Sequence, residues 1–174
     1  MVLGLKRDVV SLSPHREEWH ELFDRERKHI LDSTRETSLH VEHIGSTAIC
    51  WMSAKPILDI MVGMPGFEPE LPFRKSLEAI GYEYKGENGI SERHYFGKGK
   101  PRTVHLNVVA FGGSFWLSHL AFCDHLKQNP EIARKYEHLK LDLAQRFPND
   151  REAYTNGKEV FIKKIIASAM KTYL

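Results

Sequence analysis

Only two cysteines, Cys50 and Cys123, occur among the 174 residues, far apart and outside any CxxC pair. A disulfide framework is therefore excluded, and a reducing compartment with both thiols free is expected. Long apolar runs are missing too. The longest, Pro56 to Met64, is interrupted by Asp59 and is too short to span a bilayer. At the N-terminus only Met1 to Leu5 precede Lys6 and Arg7, too little for the apolar stretch of a signal peptide. No membrane partner is expected, and the expected location is cytoplasmic. Excess charge of one sign is also lacking. The formal net charge is +2, which argues against a face for duplex nucleic acid. The sequence has no repeat, low-complexity tract or long linker, so residues 1–174 are expected to form one domain.

What is present points to an ordinary globular chain. A hydrophobic fraction of 41% against 28% charged residues supplies a core that needs neither metal nor disulfide. Ten histidines would make the protein distinctly cationic on modest acidification.

Ser13-Pro14 reads as a helix start, with Ser as the cap and Pro in the first turn. Trp19, Leu22, Phe23, Glu26 and Ile30 follow at three-to-four spacing, so one stripe faces a core and the helix ends near Ser33. Leu39 to Ile44 is a short strand running into the turn Gly45-Ser46-Thr47. Pro56 to Met64, rich in Ile, Leu and Val, has the pattern of a strand covered on both faces. Gly63 to Pro72 is a connection, followed by a short helix through Phe73, Leu77 and Ile80 that Gly81 stops.

Tyr82 to Tyr84, Arg93 to Gly97 and Thr103 to Phe111 are three further strands, the last two joined by the basic turn Gly97-Lys98-Gly99-Lys100-Pro101. Beyond Gly112-Gly113 the chain turns helical, over Ser114–Lys127, Pro130–Phe147 and Asp150–Tyr173. Strands clustered in the middle with helices after them predict an α+β fold over a mixed sheet.

The chemistry concentrates in Val41-Glu42-His43-Ile44-Gly45-Ser46-Thr47 and Lys55-Pro56-Ile57-Leu58-Asp59-Ile60. A Gly-Ser turn after a strand lets backbone amides approach an anion, and Lys55 offers a positive charge beside it. The plain alternative is a strand-to-helix turn with Ser as cap. Asp59 is a carboxylate inside an apolar strand, costly unless it is hydrogen-bonded, paired with Lys55 or Arg93, or bound to a metal. Glu42 and His43 are neighbours in a strand, so they point to opposite faces and only one can line a pocket.

The string Glu42-His43-Ile44-Gly45-Ser46-Thr47-Ala48, then Ala54-Lys55-Pro56-Ile57-Leu58-Asp59-Ile60-Met61-Val62, resembles the GrpB family. So do Arg93-His94-Tyr95-Phe96, Val104-His105-Leu106-Asn107-Val108-Val109, and the tail from Tyr136-Glu137-His138-Leu139-Lys140 through Tyr154-Thr155-Asn156-Gly157-Lys158 to Phe161-Ile162. That family resemblance implies a nucleotidyltransferase-like mixed sheet flanked by helices, with a C-terminal helical part. Some members are fused to dephospho-coenzyme A kinase, which implies a link to that enzyme. An active transferase of the superfamily carries Asp-x-Asp or Asp-x-Glu on the second strand and a third acid later, holding two divalent metals. Here the second acid is Met61, and the candidate third position offers only His105 and Asn107. Cys50-Trp51-Met52 also stand where the family leads one to expect Pro-Gly and an aliphatic residue.

The resemblance thus implies a protein that binds a nucleotide or another phosphorylated small molecule, with an incomplete metal-carboxylate site. Gly45, Ser46, Thr47, Lys55 and Arg93 would hold phosphate, Arg93 because its planar fork suits bidentate contact. Asp59 with His105 or Asn107 would position one metal ion, Mg²⁺, or a hydroxyl. His105 and Asn107 share a strand face and are equally readable as a structural pair. Tyr154 and Lys158, four apart on a helix, read from spacing as a solvated pair, and the resemblance makes them binding candidates. The rival expectation is a non-catalytic accessory or regulatory module beside coenzyme A metabolism. His15, His20, His29, His119, His125 and His138 are expected on helix surfaces, with no metal spacing among them.

Overall fold

The computed structural model of the protein describes residues 2–36 and 38–173. Its elements run α1 (Glu18–Thr34), β1 (His40–Ile44), β2 (Leu58–Met64), α2 (Arg74–Ala79), β3 (Tyr82–Tyr84), β4 (His94–Lys98) and β5 (Val104–Ala110). Three helices follow, α3 (Ser114–Gln128), α4 (Pro130–Arg146) and α5 (Arg151–Tyr173). The five strands form one sheet in the order β1-β2-β5-β4-β3. The β2–β5 pair is parallel and the other pairs are antiparallel, so the sheet is mixed and the expected α+β class holds.

The apolar run becomes a central strand because both its faces are covered. Val41, Ile60, Val62, Phe96, Leu106 and Val108 face α1 and α2, where Trp19, Ile30 and Leu77 complete one core. Met61 and Val109 project to the other face, against Trp116, Phe122, Tyr136 and Ile165 of the C-terminal helices. Gly63 belongs to β2 rather than to the connection after it, and its lack of a side chain is structural. A Cβ there would lie 2.7 Å from the Trp116 ring, so glycine lets α3 seat against the sheet.

The first helix starts later than Ser13-Pro14 suggests. Ser13 pairs with Ala54 as an isolated antiparallel bridge, through backbone bonds of 2.8 and 3.0 Å, which commits that backbone to an extended path. Helix α1 therefore begins at Glu18, once the chain has left this bridge. A pairing partner 41 positions away in the sequence (54 − 13) overrides a local capping signal.

Candidate functional site

Sheet register assembles the site. Asp59 of β2 stands directly beside His105 of β5, and Met61 beside Asn107 one row on. Side chains of such partners share a face. His105 Nδ1 lies 2.9 Å from Asp59 Oδ1, and its Nε2 lies 3.4 Å from Arg151 Nη2 at the start of α5. Since a guanidinium only donates and a carboxylate only accepts, the imidazole donates from Nδ1 and accepts at Nε2. His105 thus bridges Arg151 to Asp59.

The bend after β1 closes on the same carboxylate. Gly45 has φ 71°, and a Cβ there would sit 2.7 Å from Asp59 Oδ2. Only glycine adopts that backbone cheaply while leaving room for the acid. The side chain of Asp59 remains 38% exposed, so the acid opens to solvent at the bend.

Positive charge surrounds it. Lys55 and Lys158 place their ammonium groups 5.3 and 4.3 Å from the ring centre of buried Tyr154. Lys140 reaches under the bend, donating to Ser46 Oγ at 3.0 Å and to the Ser53 carbonyl at 2.6 Å. Burial and the charge of Lys158 lower the Lys140 ammonium to about 7. Burial and the charge of Lys55 bring Lys158 down to about 8, and burial with Arg151 lowers Lys55. Burial alone would raise Asp59. The His105 hydrogen bond and the charges of Lys55 and Lys158 outweigh it, so the acid is held below its ordinary value.

A groove of about 350 Å³ leads away from Asp59 and Gly45. Tyr95, His105 and Asn107 form its sheet wall, while Phe115, His119 and Phe122 of α3 face them and Ile162 and Ile166 of α5 close the end. His119 is stacked on Phe115 at 3.8 Å with Nδ1 2.8 Å from the Phe115 carbonyl, which leaves Nε2 as an acceptor. Burial lowers the imidazole's proton affinity, so it is neutral near pH 7.

Of the residues expected from sequence, Gly45, Asp59, Arg93, His105 and Asn107 all line this groove. Ser46 sits against Lys140, and Lys55, Tyr154 and Lys158 cluster on the cationic side of Asp59. Thr47 is turned away: it is buried and its Oγ1 meets His43 Nε2 at 2.9 Å, on the α1 side. The same bond answers the question of Glu42 and His43. His43 stacks on Phe23 of α1, while Glu42, in register with Met61, shares the face of Asp59.

Arg93 is buried, and its fork is already engaged. It donates to the carbonyls of Glu87 and Asn88 at 2.9–3.2 Å and to Asn107 Oδ1 at 3.1 Å, fixing the loop that walls the groove. Arg151, Lys140 and His119 are site residues that the motif reading did not reach. Lys140 lay inside the family string, but helical spacing alone does not separate it from a surface lysine.

The donor set does not fit a pair of hard dications. Mg²⁺ requires oxygen ligands, and among the described residues lining the groove Asp59 is the one carboxylate. Met61 is fully buried beside it, and Asn107 gives its amide to the Ile60 carbonyl and its oxygen to Arg93. With Lys55, Lys158 and Arg151 on the side of Asp59, the local field favours an anion.

Comparison with known proteins agrees with this fold. The model of the GrpB protein family matches residues 9–168. The chain is 34% identical over 171 residues to the glutamate-rich protein GrpB of Alkalihalophilus pseudofirmus, covering 95% of this chain and 98% of that protein. A crystal structure of the conserved protein GrpB from Enterococcus faecalis superposes with a TM-score of 0.87 at 39% identity, covering 94% of this chain and 99% of the other. A dephospho-CoA kinase of Mycolicibacterium paratuberculosis is 23% identical over 187 residues, which span 91% of this chain and 46% of that enzyme.

Proposed function

The chain belongs to the GrpB family, and from that premise we propose that it binds a nucleotide or another phosphorylated small molecule without two-metal transfer chemistry. One observation carries this reading: several cations converge on a single half-open carboxylate where a tight bend meets a largely apolar groove. Lys55 and Lys158, with Arg151 behind His105, supply the charge that a phosphate group requires. Asp59 keeps these cations from repelling one another apart and orients His105. Phe115, Phe122 and Ile162 offer flat and apolar surface for a base or an aliphatic arm.

The same geometry supports an accessory role over a catalytic one, because the positions of the second and third acids are filled by Met61 and by the engaged amide of Asn107. The match to a dephospho-CoA kinase supports a place beside coenzyme A metabolism. Isothermal titration with nucleoside di- and triphosphates, dephospho-coenzyme A and pyrophosphate, each with and without Mg²⁺, tests both statements. Heat from phosphorylated ligands, independent of Mg²⁺ and absent with the bare nucleoside, is expected. No heat from any member of the panel would sink the reading.

A further inference from the structure

The α1 side of the bend holds a second group of ligating side chains that the phosphate site does not use. One ring nitrogen each of His15 and His20 and the sulfur of Cys50 all lie within 4.8 Å of one another. Cys50 Sγ and His20 Nε2 are 3.7 Å apart. The His15 and His20 rings sit 5.7 Å apart, with His15 edge-on to Trp19 and His20 edge-on to His43. Nδ1 of His15 is buried, and among the described residues it has no hydrogen-bond partner. A buried ring nitrogen without a partner is costly, which calls for a ligand.

Two separate segments deliver these donors, and the fold holds them in place. His15 precedes α1, His20 lies in its first turn, and Cys50 is in the bend between Ile49 and Met52, which a 3.3 Å backbone bond closes. The Ser13–Ala54 bridge ties the strand end carrying His15 to the exit of the bend carrying Cys50. That bridge is why the first helix starts late. Backbone pairing thus positions the ligands before any metal arrives, and Cys50 is exposed, leaving an open path to the site.

We propose that His15, His20 and Cys50 bind one zinc ion through two imidazole nitrogens and a thiolate, with solvent in the fourth position. Nitrogen and sulfur donors exclude Mg²⁺ and Ca²⁺ and suit Zn²⁺. With zinc bonds of about 2.0–2.3 Å, tetrahedral ligands stand roughly 3.5 Å apart. The donor atoms, at most 4.8 Å apart, therefore close by side-chain rotations that shorten their separations by up to about 1.3 Å. Binding replaces the S–H bond of Cys50 by an S–Zn bond and releases that proton to the buffer. The ion would staple the N-terminal segment and α1 to the back of the Gly45-Ser46 bend. This site is independent of the phosphate reading and stands or falls separately.

The test uses the full chain, stripped of metal and titrated with Zn²⁺ against a chromogenic chelator. One zinc per chain is expected, with Tm rising by roughly 5–10 °C at a hundredfold excess over Kd. Cys50→Ser and His20→Gln should each weaken binding by more than about tenfold, since loss of an outer partner alone costs that much. His138→Gln, on an exposed helix position, should leave it unchanged. Co²⁺ should give a thiolate charge-transfer band in the wild type and none in Cys50→Ser. As a readout that does not depend on variants, zinc should shield Cys50 from alkylation, while buried Cys123 stays unreactive with or without metal. Zinc affinity unchanged by Cys50→Ser, a missing cobalt–thiolate band, or Cys50 alkylated equally fast with zinc present would each overturn the proposal.

Discussion

Lys158 makes ligand affinity a function of pH in a way that the geometry specifies. Its ammonium is lowered to about 8 in the free protein, by burial first and by Lys55 next. A bound phosphate favours the charged form and moves the pKa back up. The sign follows: binding is tightest where Lys158 is already protonated, below pH 7, and weakens as pH rises through 8. If the bound state is fully protonated, Lys158 alone lowers affinity by about tenfold between pH 7 and pH 9. Lys140, lowered to about 7, adds up to about fiftyfold if the ligand also recharges it, so the total lies between about 10 and 500. At pH 8 binding should take up between about 0.5 and 1.4 protons. Titration calorimetry with a nucleoside diphosphate in buffers of different ionisation enthalpy reads both quantities. Its terminal phosphate, with a second pKa of about 6, is already ionised across this range. The Lys158→Gln variant should bind more weakly at pH 7 with a flatter profile. A Kd constant from pH 7 to 9, or an unchanged slope in Lys158→Gln, would refute the reasoning.

Asp59→Asn should lose the charge-assisted bond to His105, costing about 1–2 kcal/mol in urea unfolding, at the low end because the acid is partly exposed. The same variant should keep or strengthen affinity for pyrophosphate, since a negative charge leaves an anion seat, and abolished binding would instead make Asp59 a direct ligand contact. Gly45→Ala should cost about 1–3 kcal/mol, because φ 71° strains an L-residue and the new methyl meets the Asp59 carboxylate. A chemical denaturation midpoint equal to wild type would show that the bend relaxes freely.

Much of this architecture was legible from residue order. The apolar run around Asp59, the breakers at Gly81 and Gly112-Gly113, and Pro130 place β2, the end of α2 and the three C-terminal helices nearly where they fall. Asp59 stood out because a lone acid in such a run needs partners, and the bend and His105 are those partners. Convergence from distant segments was not legible. Lys140 meets Ser46 across 94 positions, and Arg151 meets His105 across 46. A helical lysine or histidine has the same spacing whether its face meets solvent or a groove, so His119 read as a surface residue. His15 and Cys50 were hidden for a related reason: the Ser13–Ala54 bridge that unites them has no local signature.

The missing acids allow a direct test of whether a metal site lies dormant in this sheet. Met61→Asp would restore the acidic pair on β2, yet Met61 is fully buried among Ile44, Trp116 and Phe122. An unpaired carboxylate there costs roughly 3–5 kcal/mol, and the amide of Asn107 beside it is held in place by Arg93 and the Ile60 carbonyl. In a sheet merely lacking one ligand, Mg²⁺ would neutralise the new acid and recover most of that loss. Here Lys55 and Lys158 already neutralise Asp59, and a dication brought to it must overcome their repulsion. Met61→Asp should therefore melt well below wild type, by roughly 6–20 °C, and millimolar Mg²⁺ should not restore it. Recovery of Tm with Mg²⁺ but not with matched ionic strength would mean that the field at Asp59 is governed by the acid and not by the lysines around it.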